Sequence, residues 1–177
     1  MADPPARHAA LRLIYRLRQF WEALRPRPDL RALASAQKIL PPPLWALFRQ
    51  MPLNEQAHAL RVFQRLQRED HTDRRLLAAA LLHDVGKALQ HPHLWERVAV
   101  VVGYACCPSW AARAGESAPS GWRRPFVIAR RHPEWGAHLA AKAGASPETV
   151  ALIRYHHTFP PPDLPGLAAL QAADDRE

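Results

Sequence analysis

Apolar residues recur at helical spacing along most of this chain, and prolines break the pattern into short segments. In residues 6–25, Leu13, Leu17, Phe20 and Leu24 form one stripe with arginines between them, which predicts a basic amphipathic helix. The sequence "RPRPD" (25–29) ends it, and Asp29 is placed to cap a short helix at about 30–39. "LPPPLW" (40–45) is a second stop, followed by another short helix. From about residue 52, Ala57, Leu60, Phe63 and Leu66 mark a longer helix.

"HTDRRLLAAALLHDVGK" predicts a helix with Thr72 as N-cap and Gly86 as its stop. A helix at about 93–106 follows. It carries the longest apolar stretch, "VAVVVGYACC" at 98–107, about half of what a membrane span needs. That stretch is expected to be buried, with a one-sided membrane contact as the other reading. Residues 108–125 are expected to be loop and short helix. Pro133 and Pro147 each suit a first helical turn, so helices are expected at "HPEWGAHLAAKAG", ending at Gly144, and at "SPETVALIRYHH", capped by Ser146. After the proline-rich "TFPPPDLPG" comes a last helix, "LAALQAADDRE". No stretch alternates β-branched and polar residues as a strand would. The expected fold is all-α: a basic helical N-terminal extension over 1–50 and a main body over 51–177.

Composition supports a packed chain, since 48% of the 177 residues are hydrophobic. The formal net charge of +8 favours anionic partners: phosphates, nucleic acid or an acidic membrane surface. The first 50 residues are expected chiefly to pack on the main body. Their sharper use would be docking to nucleic acid, an anionic membrane or a protein partner. Cys106 and Cys107 are adjacent and have no other cysteine to pair with. They are expected to be buried small hydrophobes in a reducing, cytoplasmic compartment, with peripheral membrane association as an addition. Arginines interrupt the N-terminal apolar stretch, unlike the core of a secretion signal. Trp95, Trp110, Trp122 and Trp135 are expected in core or interface, and His71, His91, His93 and His138 in solvated or packing roles.

The candidate chemistry lies in a series of histidines and aspartates. His58 falls within the first helix of the body, His83-Asp84 at a helix end, His132 at a helix start, His156-His157 at another helix end, and Asp174 in the last helix. Taken singly, a histidine at a helix end is more often a cap than a ligand. Were these ends to converge, imidazoles and carboxylates would share one cleft, a donor set suited to Mn, Fe, Co or Zn. A carboxylate can bridge two ions, and a pair about 3.5–4 Å apart suits phosphoester hydrolysis, where it lowers the pKa of a shared water and holds phosphate oxygens.

In order and chemistry, His58, "LLHDVGK" and "LQAADD" resemble the HD-domain metal-dependent phosphohydrolase superfamily. "RRHPEWGAHLA" looks like the HPE-x-G segment of its HDIG and HD-GYP branches, and "ALIRYHHT" like their paired histidines. The resemblance covers about 53–177. It implies His58, His83, Asp84 and Asp174 as ligands of one ion, with Asp84 bridging to a second. That second ion would be held by His132 with one or both of His156 and His157. It also implies that Lys87 contacts the substrate phosphate, a role that suits a positive point charge beside the metals. Arg131, beside His132, is a further candidate for phosphate. The implied substrate is a phosphorylated small molecule, a nucleotide or cyclic nucleotide in particular. Two departures stand out. "HHTFPPPDLPG" lacks Gly-Tyr-Pro, and Asn54 occupies the position of a glutamate that ligates a third metal in some relatives, with Glu55 on a different face. Asp175 is the alternative to Asp174 if the register differs by one. The alternative function is an HD-fold binding or signalling module.

Overall fold

The computed structural model describes residues 29–177. The helix expected at 6–25 lies outside them. Every regular element among the described residues is helical, with no strand among them. The α-helices are α1 (Leu30–Ile39), α2 (Pro42–Phe48), α3 (Leu53–Arg68), α4 (Arg74–Leu82), α5 (Leu94–Cys106), α6 (Pro108–Ala114), α7 (Arg124–Lys142), α8 (Pro147–Tyr155) and α9 (Leu167–Asp174). Two 3₁₀ turns, Val85–Leu89 and Gly121–Arg123, precede α5 and α7.

Several boundaries follow from local chemistry. Asp29 caps α1 by accepting a hydrogen bond from the Arg31 N–H, 2.9 Å. Ser146 caps α8 by accepting one from the Thr149 N–H, 3.2 Å, with Pro147 in the first turn. For α4 the expected cap moves by one residue: Asp73, not Thr72, accepts from the Arg75 N–H at 2.9 Å.

One continuous core joins these helices. Ala36, Leu40 and Phe48 of the α1–α2 region pack with Leu60, Phe63, Leu66, Leu81, Ile153 and Leu170. The stretch 30–50 of the expected extension thus contributes to the same hydrophobic body.

Three expectations are corrected. Pro133 does not start a helix but lies buried inside α7, where Pro125 takes the first turn. An interior proline costs about 3 kcal/mol of helix stability, so tertiary contact has overridden propensity here. The same stretch of α7 also makes a close backbone contact with the first 3₁₀ turn. A Cβ on Gly86 would lie 2.0 Å from the His132 carbonyl oxygen and 2.8 Å from the Gly136 nitrogen. Accordingly Gly86 does not stop α4, which ends at Leu82, but lets the first 3₁₀ turn press against the middle of α7. Finally, α5 is not a buried helix. Val98, Val101 and Val102 are exposed, as are Cys106, Cys107, Trp95, Trp110 and Trp122.

Candidate metal centre

Five helices bring their polar residues to one place. His58 comes from α3, His83 and Asp84 from the end of α4, His132 from the middle of α7, His156 and His157 from the end of α8, and Asp174 from the last turn of α9. His132 therefore belongs to the cluster although its helix begins eight residues earlier than expected.

The imidazoles are oriented by their own helices. Nδ1–H of His83 donates to the Ala80 carbonyl (2.9 Å), that of His132 to Ile128 (3.0 Å) and that of His156 to Ile153 (2.7 Å). Ala80 and Ile153 lie in last helical turns, whose carbonyls lack intrahelical partners. The cap and ligand roles weighed from sequence therefore use different nitrogens of the same ring. Because a carbonyl only accepts, Nδ1 carries the proton, and in the neutral ring Nε2 presents a lone pair to the centre.

Two groups of donor atoms face Asp84 from opposite sides. Its Oδ1 lies 3.2 Å from Nε2 of His132 and 3.9 Å from Nε2 of His156. Its Oδ2 lies 3.5 Å from Nε2 of His83 and 3.9 Å from Nε2 of His58. Asp174 closes the second group, with Oδ1 2.8 Å from His58 and 3.3 Å from His83. Ligand atoms of His132, His156 and His157, of His58, His83 and Asp174, and of His83, Asp84 and His156 are each close enough to share one ion. His83, Asp84, His132 and His156 form a buried floor, whereas His58, Asp174 and the half-exposed His157 lie toward solvent. Above them a cleft of about 310 Å³ is lined by His157, Thr158, Phe159, Gln171 and Asp175 together with His156 and Asp174.

The electrostatics suit cations. Burial lowers the pKa of His132 and, aided by the neighbouring histidines, holds His156 well below the usual imidazole range, so both stay neutral. Burial also opposes protonation of His83, but the Asp84 and Asp174 carboxylates prevail and push it up to about 10. Although burial works against the charge, Lys87 and His83 hold Asp84 well below the carboxylate range. Burial works against the charge of Asp174, but the imidazoles of His157, His58 and His83 beside it prevail and lower its pKa.

The residues fit divalent metals on one direct observation. Nε2 of His83 and Oδ1 of Asp84 are buried without a hydrogen-bond partner, a state that costs free energy unless something satisfies them. The donor set of imidazole and carboxylate suits Mn, Fe, Co or Zn.

Lys87 sits beside the centre, its Nζ 2.6 Å from Asp84 Oδ2 and 3.3 Å from Glu55 Oε2. Glu55, a buried carboxylate, also accepts from Arg97 of α5. From the sequence, Glu55 is expected on a different face from the site, which the structure corrects, and Arg97 is not singled out. The signal available was that Glu55 precedes His58 by three residues and so shares its side of α3. Arg131 is not brought to the cluster: its exposed guanidinium donates to the Glu116 carbonyl, 3.3 Å. Asp175 is exposed at the rim, while Asp174 points inward.

The family model described as "HD domain" matches residues 56–177. No curated protein and no solved structure matches the chain.

Proposed function

The chain belongs to the HD domain family, and from that premise we propose that it is a metal-dependent phosphohydrolase carrying two divalent ions. The observation that carries this proposal is the placement of Asp84, whose two oxygens face two separate sets of imidazoles, one of them without a hydrogen-bond partner. His58, His83, Asp84 and Asp174 would hold one ion. His132, His156 and His157 would hold the other, with Asp84 shared. Bound there, ions of the Mn, Fe, Co or Zn type would acidify a water and neutralise phosphoryl oxygens.

The chain's own groups set the rest. Three buried imidazoles are oriented by backbone carbonyls; those of His132 and His156 are held neutral with Nε2 ready to ligate, whereas His83 would first give up its Nε2 proton. Lys87 is the residue assigned to the substrate phosphate. It is held by Asp84 and Glu55, so an incoming phosphate would compete with Glu55 for its ammonium group. The substrate class is a phosphomonoester or phosphodiester, a nucleotide first among them. The exposed ring of Phe159 at the cleft supports that preference, since an aromatic rim can stack on a base. Within the family the HPE-x-G and paired-histidine segments favour the HDIG branch. The exposed Arg131 would contact phosphate only on a substrate large enough to reach outside the cluster.

The test is metal content after anaerobic purification, paired with hydrolysis of a panel of nucleotides and generic phosphoesters. Two equivalents of a transition metal with turnover of a phosphoester is the expected result. A chain that binds no divalent ion under these conditions would overturn the proposal. Metal binding without turnover of any panel member, with a protein co-purifying, would favour the binding-module alternative.

A further inference from the structure

The helix α5 is built inside out. Its inner side carries charge: buried Glu96 pairs with Arg124, and Arg97 reaches Glu55. Its outer side carries Trp95, Val98, Val101, Val102, Ala105 and Cys106, all exposed, with Val101 at 68%. At 100° per residue these positions span an arc of about 140° that contains no charged or amide side chain. Water is a poor solvent for such a face, and a stripe of this kind marks an interaction surface.

Its surroundings indicate what covers it. From Leu94 to Gly115 the single carboxylate is the buried Glu96, so the helix pair α5–α6 shows no exposed negative charge. The next acid, Glu116, is paired with Arg130 at 3.2 Å. Arg113 and Arg123 are exposed and form no ion pair with a described residue. Trp110 of α6 stacks on Trp122 (centroids 5.2 Å apart, planes at 9°), and the Arg123 guanidinium lies 4.9 Å from the Trp122 ring centroid. Tyr104 is exposed at the same end of α5. An apolar stripe with exposed tryptophan, tyrosine and arginine nearby, no exposed acid within α5 or α6, and the neighbouring Glu116 paired with Arg130, matches the chemistry of a lipid headgroup boundary. None of the described helices is long and apolar enough to cross a membrane, so the contact is one of lying on the surface.

We propose that the outer face of α5, extended by Trp110, Trp122 and Arg123, seats this protein on an anionic lipid bilayer. The proposal is independent of the metal chemistry: none of these side chains touches the His/Asp cluster.

The experiment is vesicle flotation of the full chain with phosphatidylcholine alone and with about 30 mol% phosphatidylglycerol added. The parent is expected to float with the anionic vesicles and weakly with the neutral ones. Val98→Glu with Val101→Glu is expected to lower the partition by about tenfold or more, because two side chains lose burial and gain charge. A second measurement follows tryptophan quenching by nitroxide-labelled lipid in a Trp95→Phe, Trp110→Phe, Trp122→Phe variant, which keeps the apolar surface. Loss of most of the quenching supports the proposal. Full retention would locate the contact elsewhere, at Trp21 for instance, and overturn it. The proposal also fails if the parent does not bind anionic vesicles, if the glutamate variant binds as the parent does, or if the parent is a dimer that this variant dissociates, which would make the face an interface between two copies.

Discussion

Nε2 of His132 and Nε2 of His156 lie 3.3 Å apart, and both rings have already committed their Nδ1 protons to backbone carbonyls. Two lone pairs thus face each other in a buried site, with Asp84 Oδ1 3.2 Å from the first. An acceptor trio of this kind is stabilised by a cation and strained without one. Divalent metal is therefore expected to stabilise the fold as well as support chemistry. At a hundredfold excess over its dissociation constant, an added transition metal should raise the melting temperature by about 5–10 °C, read by calorimetry with and without chelator.

Asp84→Asn should remove the shared ligand while leaving the shape of the site. Loss of a partner that merely orients a ligand already weakens metal sites by about 10–100-fold, so loss of the bridging ligand should exceed that range. Elemental analysis should find less than one ion per chain, with hydrolysis falling in step.

Metal binding should release protons. With no ion bound, His83 is protonated up to about pH 10, because Asp84 and Asp174 outweigh its burial. Ligation needs the neutral ring, so affinity should rise with pH across the neutral range, by up to about tenfold per pH unit for one proton displaced. Titration calorimetry in buffers of different ionisation enthalpy would count that proton. The same raised pKa makes the sign of the stability effect definite for the metal-free protein. The unfolded chain releases this proton near the ordinary value of 6.5 and the folded chain near 10. The stabilisation is complete below 6.5 and is lost as pH rises through 10.

Lys87→Ala and Glu55→Gln should separate binding of metal from handling of phosphate. Both variants are expected to retain their ions. Removing the ammonium group should lower kcat/KM by about 10²-fold or more, the scale seen when a charge-stabilising donor is lost. Glu55→Gln frees Lys87 and Arg97 from a buried carboxylate and should have a smaller effect, about tenfold. Equal metal content with unequal rates is the discriminating result.

Gly86→Ala should be among the most damaging single-methyl additions in the chain. Its Cβ would meet the His132 carbonyl oxygen at 2.0 Å, a backbone atom that moves only with α7. Overpacking of this sort costs about 3 kcal/mol, measurable by urea unfolding.

The residues that meet at the centre were legible because they are chemically distinctive and occur in a recognisable order: His58, His83-Asp84, His132, His156-His157, Asp174. Caps such as Asp29 and Ser146 were legible because their signals are local. What the sequence hid depends on contacts distant along the chain. The stripe on α5 announces an apolar face without saying which neighbour covers it, and burial was the wrong inference. Pro133 suggests a helix start, but Pro125 takes the first turn of α7 and Pro133 lies inside it. Glu55 looked incidental beside Asn54. Its partners Lys87 and Arg97 lie 32 and 42 residues away, and no periodicity links them.

The apposition of Gly86 with His132 and Gly136 also separates two properties that are usually tuned together. Asp84 and His83 sit at one end of this contact and His132 at the other, joined by main chain packed on main chain. The spacing between the halves of the centre is thus a feature of the scaffold, whereas on the two-ion proposal any preference among metals would belong to the side chains mounted on it. Exchanging an imidazole for a carboxylate on either half would retune which element is held without resetting the gauge between the two positions. In engineering terms the scaffold is a fixed-gauge socket with interchangeable pins.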